Sequence, residues 1–296
     1  MQDAQQVTVN GRTVDFAALS WGPDDAPLAL LLHGYPDSPH SWRGVAESLV
    51  EAGYRVVAPW TRGYAPSSVP TDGSFHIGAL ASDALELHGL LGGDARAVLI
   101  GHDWGAVAAH AVAGLDGQPF RRIVTMAVPP AAAFLDRADG MRAWLARLAR
   151  QARLSWYVAF QQLPVVSERS LGALVPRLWS TWSPGHPAGA ELEAAWEAIG
   201  DRRTEVLRYY RHAARWWTVP AQYRSAQRGL MRASTVPMLY LHGRQDGCVL
   251  RDWTGPTRDV LPPGSRVEVV SGAGHFLQVE QPDVVARLVV DFVVAG

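Results

Sequence analysis

Short apolar runs recur along the chain, separated by segments long enough to be helices. Leu28-Ala29-Leu30-Leu31-Leu32 is one such run, and residues 54–58, 95–100 and 121–127 hold three more, each bounded by polar residues or by Gly and Pro. Runs of this length read as buried strands, and strands alternating with helix-length segments predict an α/β fold, a mostly parallel sheet with helices on its faces. Ahead of them, Val7-Thr8-Val9-Asn10-Gly11-Arg12-Thr13-Val14 alternates around Asn-Gly, the signal of a hairpin. The rhythm stops at Pro129-Pro130. From Ala131 to Met231 the chain is rich in Arg and Trp and helical in spacing. Met141, Trp144, Leu145 and Leu148 share one face there, and Arg142, Arg147, Arg150 and Arg153 form its solvated side. Strand patterning resumes at Met238-Leu239-Tyr240-Leu241-His242-Gly243 and again at Arg266-Val267-Glu268-Val269-Val270. The expected organisation is one α/β domain in two parts, residues 1–130 and 232–296, with a helical cap at 131–231 inserted between them.

Candidate chemistry lies at the ends of these strands, where open α/β sheets gather their reactive groups. Ala97-Val98-Leu99-Ile100 runs into Gly101-His102-Asp103-Trp104-Gly105, and Ala106-Val107-Ala108-Ala109 then begins a helix. A strand, a sharp turn flanked by small residues and a helix form a nucleophile elbow, which lifts one side chain above the sheet edge. Here that side chain is Asp103. A carboxylate attacks saturated carbon as readily as acyl carbon and suits substrates with a strained ring or a good leaving group, so ester and peptide hydrolysis drop in rank. The plainer reading of the pentapeptide is a Gly-rich turn in which Asp103 caps the following helix.

Partners elsewhere favour the elbow. Asp246 sits just past the strand that ends at Gly243, and His275 lies in Ser271-Gly272-Ala273-Gly274-His275-Phe276 after the next strand. The chain order is nucleophile, acid, histidine, which makes His275 a base whose tautomer Asp246 fixes. Taken singly, Asp246 is a turn residue beside Gly247 and His275 a loop histidine. Upstream, Leu28–Leu32 runs into His33-Gly34-Tyr35-Pro36, and the backbone N–H groups of Tyr35 and Trp104 are candidates for an oxyanion hole. His33 borders that hole and the substrate; with His102 and His242 it is expected to support the site.

Composition narrows the classes. A chain of 296 residues can bury a full core, and its single cysteine, Cys248, excludes an intramolecular disulfide and reads as loop packing. All 27 basic residues are arginine and the net charge is −1, which gives no electrostatic footprint for nucleic acid or an anionic membrane. Neither a metal-ligand cluster nor a phosphate-cradling loop stands out, so no cofactor and no metal are expected. Met1–Gln6 lacks a leader pattern and no apolar run approaches spanning length, which predicts a soluble, cytoplasmic protein with no membrane partner. Trp156, Trp179, Trp182, Trp216 and Trp217 hint at an apolar, aromatic cavity and hence a lipophilic small molecule.

Together these residues resemble the α/β-hydrolase epoxide hydrolases, and the resemblance covers the whole chain. It rests on the His33-to-Pro36 loop, the Gly101-to-Gly105 elbow and the late Asp246 and Gly274-His275-Phe276 motifs. Two further segments carry it, Trp156-Tyr157-Val158-Ala159-Phe160-Gln161-Gln162-Leu163-Pro164 and Leu207-Arg208-Tyr209-Tyr210-Arg211. The resemblance implies that Asp103 attacks an epoxide carbon while Tyr157 and Tyr210 hold and protonate the epoxide oxygen. His275, oriented by Asp246, would then activate water to hydrolyse the ester on Asp103 and release a vicinal diol. Tyr209 matches the family less well than Tyr210. One loop departs from the pattern: Trp60-Thr61-Arg62-Gly63-Tyr64-Ala65 stands where the family often has Asp-x-Arg-Gly-x-Gly, and this puts pocket shape in question. Two rivals remain at this stage. A haloalkane or haloacid dehalogenase would share the aspartate and, in haloalkane enzymes, use Trp104 as a halide donor, although those usually carry Asn at the place of Tyr35. A non-catalytic ligand-binding member of the scaffold is the other, and such proteins tend to lose triad residues that this chain keeps.

Overall fold

The computed structural model describes residues 4–187 and 189–295; residues 1–3, 188 and 296, which the segments above take in, lie outside the described residues. Eight strands form one sheet: β1 (Gln5–Asn10), β2 (Asp15–Trp21), β3 (Leu28–Leu32), β4 (Arg55–Pro59), β5 (Val98–His102), β6 (Arg122–Met126), β7 (Met238–Gly243) and β8 (Arg266–Val270). Their spatial order is β1-β2-β4-β3-β5-β6-β7-β8. The β1–β2 and β2–β4 pairs are antiparallel, and every later neighbour is parallel. Central strands β3 and β5 are buried at every residue, which is why they read as unbroken apolar runs.

The N-terminal hairpin forms with a longer turn than Asn-Gly predicts. Asn10 stays in the ladder opposite Asp15, residues 11–14 make the connection, and the Gly11 N–H donates to the Val14 carbonyl at 3.0 Å. Val14 drops into the core instead of continuing the alternation.

The helices are α1 (Arg43–Glu51), α2 (Ile77–Leu90), α3 (Trp104–Ala113), α4 (Ala131–Leu135), α5 (Met141–Leu154), α6 (Trp156–Phe160) and α7 (Val166–Trp182). They continue as α8 (Ala190–Ile199), α9 (Arg203–Ala214), α10 (Arg224–Gly229), α11 (Thr254–Val260), α12 (Leu277–Glu280) and α13 (Pro282–Val294). Among the described residues none is long and apolar enough to cross a membrane. Against the sheet, α1 packs with α13, and α2 packs with α3 and α10. Helices α4 to α10 fill the stretch between β6 and β7 without a strand among the described residues. The apolar stripe of α5 is only partly used: Leu148 joins the core, whereas Met141 and Leu145 remain about half exposed, at 49% and 52%.

A buried ion pair ties the loop after β4 to α2. Arg62 is fully enclosed, its Nε donates to Asp83 Oδ2 at 2.6 Å, its Nη2 to Oδ1 at 2.5 Å and its Nη1 to the Ser74 carbonyl. Burial pushes the Asp83 carboxyl up, and Arg62 offsets part of that cost. Removing one partner would leave the other charged and unpaired in the interior, which is more damaging than never having the pair. Arg62→Met is therefore expected to lower the unfolding free energy by about 3–5 kcal/mol, read from the urea midpoint, with the Arg62→Met/Asp83→Asn double variant recovering part of the loss.

Candidate active site

Asp103 sits between β5 and α3 with φ +51° and ψ −114°, a left-handed conformation rare for a residue with a side chain. The turn is forced by its neighbours. A Cβ on Gly101 would lie 2.2 Å from the Gly105 carbonyl oxygen, and one on Gly105 would lie 2.0 Å from that of Leu32. Strand and helix approach too closely for any other residue at either place. The Asp103 carboxylate does not cap α3; Oδ1 instead accepts the Tyr35 N–H at 2.8 Å.

The three residues expected from chain order meet here. His275 Nε2 lies 3.6 Å from Asp103 Oδ2, and Nδ1 lies 3.0 Å from Asp246 Oδ2. Asp246 is itself fixed by its own turn, since Oδ1 accepts the N–H groups of Cys248 and Val249 at 2.7 and 2.9 Å. With Nδ1–H donated to Asp246, His275 presents Nε2 toward Asp103, where that nitrogen has no hydrogen-bond partner among the described residues. Burial pushes the imidazole pKa down, but Asp246 and Asp103 outweigh it and hold it up at about 10. Both carboxyls are likewise opposed by burial and, on balance, held below the ordinary range by His275.

Histidines at the strand ends brace this arrangement. His33 accepts the Thr61 N–H at Nε2, 3.0 Å, and donates from Nδ1 to the Gly34 carbonyl at 2.9 Å, joining the Tyr35 loop to the loop after β4. With both ring nitrogens engaged, it supports the Tyr35 loop. His242 accepts the Tyr240 hydroxyl at 2.7 Å and donates to the Val249 carbonyl at 3.1 Å, which holds the Asp246 turn. His102 donates to the carbonyl of His275 at 2.9 Å, and Asp37, buried and unannounced by any motif, stands 3.7 Å from its other nitrogen. Only the fold could reveal Asp37, because its partner is 65 residues away.

Two tyrosines from the helical segment close over Asp103. Tyr157 (α6) and Tyr210 (α9) are both buried, with ring centroids 5.7 Å apart and edge to face. Tyr210 also meets Tyr35 at 5.2 Å and Trp104 at 5.0 Å, and Tyr157 meets Trp182, which in turn meets His275. Burial comes first in raising both phenols well above the ordinary value; Asp103 adds to it in each, after Cys248 for Tyr157 and after Tyr157 for Tyr210. The Tyr210 hydroxyl and Trp104 Nε1 have no hydrogen-bond partner among the described residues. Tyr209 differs from its neighbour, since its hydroxyl donates to the Arg62 carbonyl at 2.8 Å. Arg211 pairs with Glu168 at 2.7 Å and donates to the Gln161 carbonyl, pinning α9 to α6 and α7.

Some sequence readings change. Cys248 is more than loop packing, because its Sγ lies 3.4 Å from the Tyr157 hydroxyl. Asp246, Cys248 and His275 bring donor atoms within 4.8 Å of one another, the one spacing found among the described residues that a metal could span, and the acid and histidine are already bonded to each other. Of the five tryptophans, Trp179 and Trp182 pack near the site, whereas Trp156, Trp216 and Trp217 face solvent, the last two at 68% and 67% exposure. In the loop that departs from the family pattern, Trp60 packs against His40, whereas Thr61 and Tyr64 both meet His33 and Tyr209.

The raised His275 has a consequence for stability. A histidine lifted from 6.5 contributes fully below pH 6.5, and the contribution disappears as pH rises through the folded-state value of about 10. Unfolding free energy from urea titrations should fall over that window, and Asp246→Asn should flatten the fall.

A model of the α/β-hydrolase fold family matches residues 27–282. The AB hydrolase superfamily protein YfhM of Bacillus subtilis is 28% identical over 306 residues, which cover 97% of this chain and 96% of that protein. Epoxide hydrolase A of Mycobacterium tuberculosis is 27% identical over 321 residues, 97% of this chain and 95% of the other. Among solved structures, epoxide hydrolase A from Mycobacterium thermoresistibile has a TM-score of 0.74 at 24% identity, with 98% of each chain covered, a likeness of fold. Because the family match takes in both parts of the sheet from β3 onward and everything between them, the chain belongs to the α/β-hydrolase fold family.

Proposed function

We propose that this protein is an epoxide hydrolase, converting a small epoxide to a vicinal diol through a covalent ester on Asp103, with residues 131–231 serving as the cap. The observation that carries this reading is the pair of buried phenols beside a buried carboxylate nucleophile. Ring opening needs both: as an Asp103 oxygen bonds to an epoxide carbon, the ring C–O bond breaks, and the leaving oxygen takes a proton from Tyr157 or Tyr210. Relatives named epoxide hydrolases, matched over nearly the whole chain, add support.

The two carboxylate oxygens have different surroundings. Oδ1 is held by the Tyr35 N–H, which leaves Oδ2, on the His275 side, to attack. His275 begins as an imidazolium, its charge held partly by Asp103. Ester formation consumes that negative charge, so the imidazolium becomes more acidic and its proton passes to the tyrosinate that ring opening left, which restores the phenol and leaves His275 neutral. Neutral His275 then takes a proton from water as the water oxygen adds to the ester carbon. The backbone N–H groups of Tyr35 and Trp104 hold the resulting oxyanion. Collapse expels the second diol oxygen, which takes the proton of the added hydroxyl and leaves Asp103 ionised and His275 protonated, as at the start.

Trp104 Nε1, buried and unpartnered, favours a second reading, in which the indole receives a halide leaving group. One measurement separates the two. His275→Gln should still be alkylated but fail to hydrolyse the ester, so its intact mass should rise by the whole mass of an aryl epoxide, with the adduct on Asp103. A rise only with a haloalkane, short by the hydrogen halide, would make the enzyme a dehalogenase; no adduct from either would count against a covalent route. For the tyrosines, the Tyr157→Phe/Tyr210→Phe variant is expected to lose about 10²–10⁴-fold in turnover while retaining its thermal unfolding transition. Full activity in that variant would remove the phenols from the mechanism.

A further inference from the structure

Gln161 directly follows α6, four residues after Tyr157, and its side chain is entirely buried with neither amide atom hydrogen-bonded to any described residue. Its main chain is fully used: the N–H donates to the Tyr157 carbonyl at 2.8 Å and the carbonyl accepts from Arg211 Nε at 3.0 Å. The backbone on which the amide hangs is thus fixed while the amide itself is left open. Beside it, within reach of the amide, stands the Tyr35 phenol, also buried and without a hydrogen bond of good geometry among the described residues. A bond between the two would still leave the second function of the amide unmatched, because Gln offers two donors and an acceptor. Buried polar groups are costly unless paired, and an apolar side chain of similar size would fill the same space without that cost. The ring-opening chemistry takes up Tyr157, Tyr210 and the Tyr35 N–H, and uses neither the Gln161 amide nor the Tyr35 hydroxyl.

We propose that Gln161 and the Tyr35 hydroxyl form a polar subsite for a neutral substituent on the epoxide, one that both accepts and donates hydrogen bonds, such as a carboxamide. The proposal rests on the epoxide-hydrolase reading and refines the substrate from a simply lipophilic epoxide to one bearing an amide near the ring. Geometry places the subsite beside Asp103, since the Tyr35 ring meets Tyr210 and the Tyr35 N–H meets Asp103. A neutral group suits a site that already holds the Asp103 charge. A carboxamide matches Gln161 in both directions, N–H to carbonyl and carbonyl to N–H.

Oxirane-2-carboxamide and 1,2-epoxy-3-methylbutane have the same number of non-hydrogen atoms and similar size and differ chiefly in whether the substituent can hydrogen-bond. In Gln161→Leu the ratio of kcat/KM for the amide to that for the hydrocarbon should fall roughly tenfold relative to the unmodified enzyme, mainly through KM for the amide. Tyr35→Phe should lower the ratio by a smaller factor. An unchanged ratio in Gln161→Leu would overturn the proposal. A second experiment is independent of turnover and of the variant's folding. Isobutyramide, which has no epoxide, is titrated into the unmodified protein while the Gln161 side-chain NH2 signals are followed by NMR. Saturable movement of those signals supports the subsite even if no epoxide is hydrolysed, and signals that stay in place would refute it.

Discussion

His275 lies between two buried carboxylates, and the loops around it are arranged to keep all three side chains ionised where water does not reach. Desolvation opposes every one of these charges. They persist because each is paired and because the turn at Asp246 and the N–H of Tyr35 supply donors that a solvent shell would otherwise provide. The same pairing couples chemistry to charge. In the proposed reaction, an ester on Asp103 would remove the partner that holds a proton on His275 and so free the base at the step that needs it.

The constraint extends outward through the other histidines at the strand ends. His33, His242 and His102 each bridge two loop segments through both ring nitrogens or through one nitrogen and a nearby carboxylate. Each sits at the C-terminal end of its strand or just beyond it, where a short polar ring can reach neighbouring loops without leaving the interior. The elbow itself depends on contact between β3, β5 and α3 so close that Gly101 and Gly105 have no room for a Cβ. The strained backbone of Asp103 follows from that contact, and the two strands that enforce it, β3 and β5, are buried at every residue.

Much of this was legible in the chain. Unbroken apolar runs such as Leu28–Leu32 identify strands buried on both faces, and the small residues around Asp103 identify the turn, because both depend on local geometry and period. Elsewhere local signals misled. Asn10-Gly11 did not become a two-residue turn, since burial of Val14 outweighed turn propensity. Met141 and Leu145 carry the spacing of a buried face yet stay about half exposed among the described residues. Trp216 and Trp217 look like cavity lining from composition and instead face solvent.

The sequence by itself determined the strand and helix order, the position of Asp103 on a tight turn and the placing of Asp246 and His275 beyond later strands, all properties of short stretches. Tertiary structure decided which distant groups meet. Asp37 reaches His102, Cys248 reaches Tyr157, and the amide of Gln161 is left open beside Tyr35. None of these follows from spacing, because contact between such distant groups depends on how the intervening residues fold back over the sheet, and no periodicity records that distance.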